Sequence, residues 1–123
     1  MSTNNKRVLI VDDSKVSRML ARAYIEEKYP GWEILEAGNG QEALSIAADL
    51  SLDLVMMDVN MPGISGLEAA EQIKASQPAA TITMLTANVQ NSVRQRAEAI
   101  SVHFLEKPIT AATIQQALAL IGA

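Results

Sequence analysis

Leu52-Asp53-Leu54-Val55-Met56-Met57-Asp58 runs directly into Val59-Asn60-Met61-Pro62-Gly63. A short apolar run closed by a Pro-Gly turn reads as a strand over 53–57, buried on both faces, with a loop over 58–64. The same pattern recurs on either side. Residues 7–11 form an apolar, β-branched strand that ends in Asp12-Asp13. Trp32 to Glu36 alternates as a short strand, Thr81 to Leu85 makes a fourth that ends at Thr86, and Val102 to Leu105 a fifth that leads to Lys107-Pro108. Helical stretches separate them: Ser14 to about Tyr29, with Ser14 as cap and Pro30-Gly31 as stop; Glu42 to Asp49, after a Gly38-Asn39-Gly40 turn; Ser65 or Gly66 to Ala75; Ser92 to about Ile100; and Thr110 to Ile121, capped by Thr110. In the first helix Val16, Leu20 and Ala23 with Ile25 or Glu27 recur at near-helical spacing.

Strand and helix alternate five times, which predicts an α/β fold: a doubly wound, five-stranded parallel sheet of (βα)5 type with helices on both faces and right-handed crossovers. Ligands of such sheets sit beyond the carboxyl ends of the strands. Asp12, Asp13, Asp58, Thr86 and Lys107 therefore share one rim. No dinucleotide fingerprint follows the first strand, because Gly38-Asn39-Gly40 is misplaced and lacks a third glycine, and there is no Walker sequence.

The 123 residues suit one domain, read as residues 7–123 behind a flexible segment 1–6, with no room for a separate output domain. Apolar residues make up 49% and charged residues 20%, which argues for a packed core and against disorder. Met1-Ser-Thr-Asn-Asn5 is not a signal peptide, and no apolar run is long enough to span a membrane, so cytoplasm is the expected location. Cysteine is absent, which excludes thiol chemistry and cysteine-bound metals. Ten basic residues against fourteen acidic ones give a charge of -4, and Lys6, Arg7, Lys15, Arg18 and Arg22 form no long stripe. Direct nucleic-acid binding is not expected.

Three carboxylates gathered at one rim repel one another and resist desolvation, and a divalent cation resolves both problems. Magnesium takes hard oxygen ligands and keeps several waters, so a few carboxylates suffice. Asp13 and Asp58 are candidates for direct ligation and Asp12 for direct or water-mediated contact, with the main-chain carbonyl of Asn60 to complete the set. Taken alone, Asp12-Asp13 also suits a helix amino end. A metal and Lys107 beside Asp58 suit a carboxylate that attacks phosphorus and then carries a dianion, with Thr86 and the backbone at Ala87 donating to a phosphoryl oxygen. The plainer readings are a strand-end cap for Thr86 and a solvated lysine for Lys107. His103, the lone histidine, reads as structural: it lies in a strand, not on a kinase-like helix, and one imidazole makes no metal site.

Val11-Asp12-Asp13-Ser14, Met57-Asp58-Val59-Asn60-Met61-Pro62-Gly63-Ile64-Ser65-Gly66, Leu85-Thr86-Ala87 and Lys107-Pro108 together resemble the response-regulator receiver domain, of the single-domain type found in chemotaxis. The resemblance implies a flavodoxin-like strand order 2-1-3-4-5. It implies Asp58 as phosphoacceptor, Asp12, Asp13 and the Asn60 carbonyl as Mg2+ ligands, Thr86 as switch hydroxyl and Lys107 as the lysine that senses phosphate. It further implies Phe104 as switch aromatic and Asn60 and Asn88 as positions that tune dephosphorylation; the plainer readings are a core ring for Phe104 and a solvated loop amide for Asn88. The phosphodonor would be a sensor histidine kinase or a phosphotransfer protein, and the chain would catalyse its own dephosphorylation by in-line water attack.

The stretch Glu98-Ala-Ile-Ser-Val-His-Phe104 lacks the glycine common in this family after the fourth helix, which bears on the output face and not on the phosphorylation site. That output face would be the fourth helix, fifth strand and last helix, meeting an unknown effector protein or forming a phosphorylation-dependent homodimer. Kinase recognition would use Lys15, Arg18, Met19 and Arg22 on the first helix. Two other classes compete. A small Mg2+-dependent phosphatase or phosphotransfer enzyme shares the aspartate chemistry, but the chain has no cap domain and no late acidic pair. A phosphorylation-independent binding module would have no need of the full set at the rim.

Overall fold

The computed structural model describes residues 6–59, 63–86, 95, 99, 102–106 and 109–122. Their elements, in chain order, are β1 (Arg7–Val11), α1 (Lys15–Lys28), β2 (Glu33–Ala37), α2 (Gly40–Asp49), β3 (Leu54–Asp58), α3 (Gly66–Ser76), β4 (Thr81–Thr86), β5 (His103–Glu106) and a C-terminal helix, here α4 (Ala111–Ala119). The five strands form one parallel sheet in the order β2-β1-β3-β4-β5, as expected from the sequence. The helix read over Ser92–Ile100 falls mostly outside the described residues; Gln95 and Ala99 within it are helical and exposed.

Alternate residues of the central strands feed two cores. Leu9, Val11, Val55, Met57, Ile82 and Met84 point toward α2 and α3, where they meet Ala43, Ala47, Leu67, Ala70 and Ile73. Val8, Ile10, Leu54, Met56 and Leu85 point the other way, toward Ala21 and Ile25 of α1 and Ile114, Ala117 and Leu118 of α4. A sheet covered on both faces needs strands that are apolar throughout, which is why β1 and β3 carry unbroken apolar runs.

Four helix starts repeat one device. Ser14, Asn39, Ser65 and Thr110 each accept from the backbone N–H three residues on, satisfying one of the free amides of the first turn. At α2, Glu42 also reaches back to Gly38 N (2.6 Å), so Asn39 and Glu42 together close the start and the helix begins at Gly40 rather than at Glu42.

Three readings need correction. The inward face of α1 is Ala21 and Ile25; Val16, Leu20 and Ala23 face solvent. Tyr24, partly buried, packs against the same core beside them. Trp32 precedes β2 instead of opening it: its ring stacks on Tyr29 with centroids 4.1 Å apart and closes the lower edge of the second core. The last helix ends at Ala119, and the chain turns through Gly122 (φ 79°) rather than continuing through Ile121 as helix.

Candidate functional site

The ends of β1 and β3 are neighbours in the sheet, with Val11 level with Met57. The next residue on each strand is an aspartate, so parallel register alone brings Asp12 and Asp58 together. Asp13 follows Asp12. One carboxylate oxygen from each of the three lies within 4.8 Å of the other two. Asp12 and Asp58 are buried and Asp13 is exposed, so the cluster opens to solvent on one side.

The loop that carries the acidic pair is pinned. Asp12 N donates to Ala37 O of β2 (3.1 Å), Asp12 Oδ1 accepts from Ser14 N (2.9 Å), and Asp12 O accepts from Arg18 Nη1 (2.6 Å). Arg18 Nε also donates to Glu36 Oε1 (3.0 Å), and Glu36 Oε2 accepts from Arg22 Nη1 (2.9 Å). Burial pushes the Glu36 carboxyl up, but hydrogen bonds from Arg22 and Arg18 outweigh it and hold the group below its ordinary value. The hydrogen bond to Glu36, with a second to Glu26, raises Arg22 in turn.

The Asp58 side is held from two directions. Asp58 is level with Leu85 of β4, and Val59 N donates to Leu85 O (3.1 Å). The chain then returns through Gly63, whose φ of 84° suits a residue without Cβ, to the start of α3, where Gly66 N donates to Val59 O (3.2 Å). Gly66 packs directly on Asp58: a Cβ there would lie 2.0 Å from Asp58 O.

Thr86 ends β4, buried, one residue past the level of Asp58. Phe104 lies on β5 opposite Met84, two residues before the level of Thr86, so Thr86 and Phe104 share a sheet face. Phe104 is partly buried against the first core. His103 points to the other face and is exposed. Asn60, Ala87, Asn88 and Lys107 lie outside the described residues, as does Pro108.

The donor set fits magnesium. All three groups are hard oxygens that lie within 4.8 Å of one another, and opposite oxygens of an octahedral Mg2+ stand about 4.2 Å apart. Two buried carboxylates beside a third strongly favour a cation among them. Sequence reasoning placed Arg18 on a recognition surface and missed its bond to Asp12 O. Its partner Glu36 lies on another element, and only the sheet order brings the two together.

Comparison with known proteins agrees with this geometry. A sequence profile described as "Response regulator receiver domain" matches residues 8–119. Chemotaxis protein CheY of Thermotoga maritima is 36% identical over 115 residues, covering 92% of this chain and 94% of that protein. Transcriptional regulatory protein ResD of Bacillus subtilis is 37% identical over 109 residues, covering 88% of this chain but 44% of ResD; the chain spans about half the length of such longer relatives. The crystal structure of response regulator TrrA from Thermotoga maritima, in complex with Mg2+-BeF, superposes with a TM-score of 0.80 at 33% identity, covering 94% of this chain and 98% of that one. Domains of this family are phosphorylated on an aspartate with Mg2+ bound at an acidic pocket, and receive the phosphoryl group from histidine kinases or phosphotransfer proteins. Among the described residues no helix is long and apolar enough to cross a membrane. On profile, identity and fold together, the chain belongs to the response regulator receiver domain family.

Proposed function

We propose that this chain is a phosphorylation switch in which Asp58 is the phosphoacceptor, and that residues 7–123 carry the switch. The observation that carries the reading is the convergence of Asp12, Asp13 and Asp58 at the carboxyl ends of β1 and β3, with Asp58 buried and one side of the cluster open. A carboxylate oxygen of Asp58 attacks phosphorus; the P–N bond of the donor phosphohistidine breaks and its electron pair leaves with the imidazole nitrogen. In the reverse phase a water attacks the same phosphorus in line, the Asp58–phosphorus bond breaks, and phosphate leaves.

Asp12, Asp13, Asp58 and the Asn60 carbonyl would hold Mg2+, which when bound neutralises charge on the phosphoryl oxygens. The chain's own residues do the rest. Asp12 and Asp13 hold their place through the pinned β1–α1 loop, and Gly66 lets α3 start against the Asp58 backbone. Thr86 with the Ala87 backbone, and Lys107, receive the phosphoryl oxygens. Asn60 and Asn88 tune water attack. Thr86 and Phe104, on one sheet face, pass the change to the side of the sheet where an effector binds or a second copy pairs, at the fourth predicted helix, β5 and α4.

Docking of the phosphodonor falls to α1. Val16, Met19 and Leu20 are exposed there (65%, 56% and 46%), a row of large apolar side chains close to Ser14 and the acidic loop. Such a row suits the apolar face of a partner helix from a sensor kinase or phosphotransfer protein.

Incubation with Mg2+ and acetyl phosphate followed by intact mass measurement tests the reading. The expected result is one labile phosphoryl group per chain, reduced without Mg2+ and absent in Asp58→Asn. A folded wild-type chain that gains nothing would overturn it.

A further inference from the structure

We infer that Arg18 is a positioning residue for the magnesium site: its guanidinium ties the acidic loop to β2 and so sets where Asp12 and Asp13 stand. The inference rests on the magnesium-binding reading above. Arg18 Nη1 donates to Asp12 O at 2.6 Å, and Nε of the same guanidinium donates to Glu36 Oε1 at 3.0 Å. A planar guanidinium fixes the directions of both bonds at once. The main chain of Asp12 is thereby held on both polar atoms, its N–H by Ala37 and its carbonyl by Arg18. That carbonyl belongs to the peptide between the two acidic residues, so rotating it redirects both side chains.

Burial separates this contact from an ordinary surface ion pair. The Arg18 and Glu36 side chains are 17% and 25% exposed, whereas Arg22 and Glu26 of the neighbouring pair are 39% and 49% exposed. Exposed pairs contribute little; a partly buried, charge-assisted bond to a main-chain carbonyl is stronger and directional. Glu36 in turn is held by Arg22, so the far end of the tie is itself fixed. Removal of partners that orient metal ligands commonly weakens affinity by about 10- to 100-fold. Here the tie acts on the backbone and not on a ligand atom, so the low end applies.

The test is Mg2+ titration calorimetry without phosphodonor on wild type, Arg18→Met, Arg18→Lys and Glu36→Gln, each with its melting temperature. Methionine keeps the helix propensity and the apolar stem but makes neither bond. Arg18→Met should bind Mg2+ about tenfold more weakly, Glu36→Gln should shift in the same direction by less, and Arg18→Lys should recover part of the loss. With acetyl phosphate, the Mg2+ concentration for half-maximal labelling should rise in Arg18→Met while the rate at saturating Mg2+ stays within about twofold of wild type. A folded Arg18→Met with wild-type Mg2+ affinity overturns the inference, whatever its melting temperature. Should Arg18→Met not fold, unchanged affinity in both Arg18→Lys and Glu36→Gln overturns it equally. Wild type that binds no Mg2+ removes the reading of the site itself, a result distinct from four chains that bind alike.

Discussion

Replacing Gly66 by alanine should destabilise the protein although alanine is the better helix former. The added Cβ would lie 2.0 Å from Asp58 O, 3.0 Å from Asp58 C and 3.0 Å from Met84 Cε. Carbon and oxygen approach no closer than about 3.3 Å without repulsion, so the nearest contact is short by about 1.3 Å. Met84 Cε is the end of a flexible side chain and can turn away. The Asp58 carbonyl cannot, because Asp58 is paired with Leu85 of β4 and the next residue, Val59, donates its N–H to Leu85 O. The start of α3 must therefore move off the sheet, pulling Leu67 and Ala70 out of the first core. Overpacking of this kind costs about 1–3 kcal/mol, occasionally more, against a gain of at most about 1 kcal/mol from helix propensity. Gly66 is the first residue of the helix, where the propensity gain is far below its interior value, so the net expectation is a loss of about 1–3 kcal/mol in urea unfolding with the m-value unchanged. Labelling of Asp58 by acetyl phosphate should slow as well, since moving the start of α3 strains the bond from Gly66 N to Val59 O, next to Asp58. Gly63→Ala is the control: its φ of 84° is unfavourable for alanine, yet nothing lies within 4 Å of the new Cβ, so it should cost about 1 kcal/mol and leave labelling intact. Wild-type stability in Gly66→Ala would refute the close approach of α3 to Asp58.

Gln77→Ala should cost about 1–3 kcal/mol in the same assay, because Nε2 donates to Ala47 O and Leu50 O while Oε1 accepts from Leu52 N, and two carbonyls and an amide lose their partner together. Glu36→Gln should lower stability at neutral pH by an amount that shrinks in acid: the folded carboxyl lies below its ordinary value of 4.5, so its contribution is complete above that value and fades as pH falls through the folded one, and wild-type and variant melting curves should converge there. Val16→Ser with Met19→Ser should slow phosphotransfer from a phosphohistidine protein about tenfold, the loss of about 1.4 kcal/mol of docking energy, while labelling by acetyl phosphate is unchanged.

The sheet was legible because its two central strands are buried on both faces. Leu54 to Met57 carries no polar residue, and that run with Asp58 at its end sets both the strand and the place of the acid. Parallel order then brings Asp12 beside Asp58 without further information. What sequence periodicity misjudged is α1. Val16 and Leu20 repeat at helical spacing, yet they face solvent, and small Ala21 with Ile25 makes the inward face. Spacing alone cannot separate an apolar side chain held outward from one that packs in the core. Trp32 was misread for a related reason: alternation extends one residue past the pairing, and stacking on Tyr29 decides where β2 begins. The tie from Arg18 to Asp12 O and Glu36 was illegible because it joins residues that become neighbours only after β2 pairs with β1.

Borohydride reduction of the acetyl-phosphate-treated protein, followed by peptide mapping, tests the central claim most directly, because it converts an acyl phosphate on aspartate to homoserine and records its position. Homoserine at position 58 alone, in lower yield when Mg2+ is withheld, is the predicted result. Homoserine at Asp12 or Asp13, or a phosphoryl group on serine or threonine that survives the reduction, would contradict it.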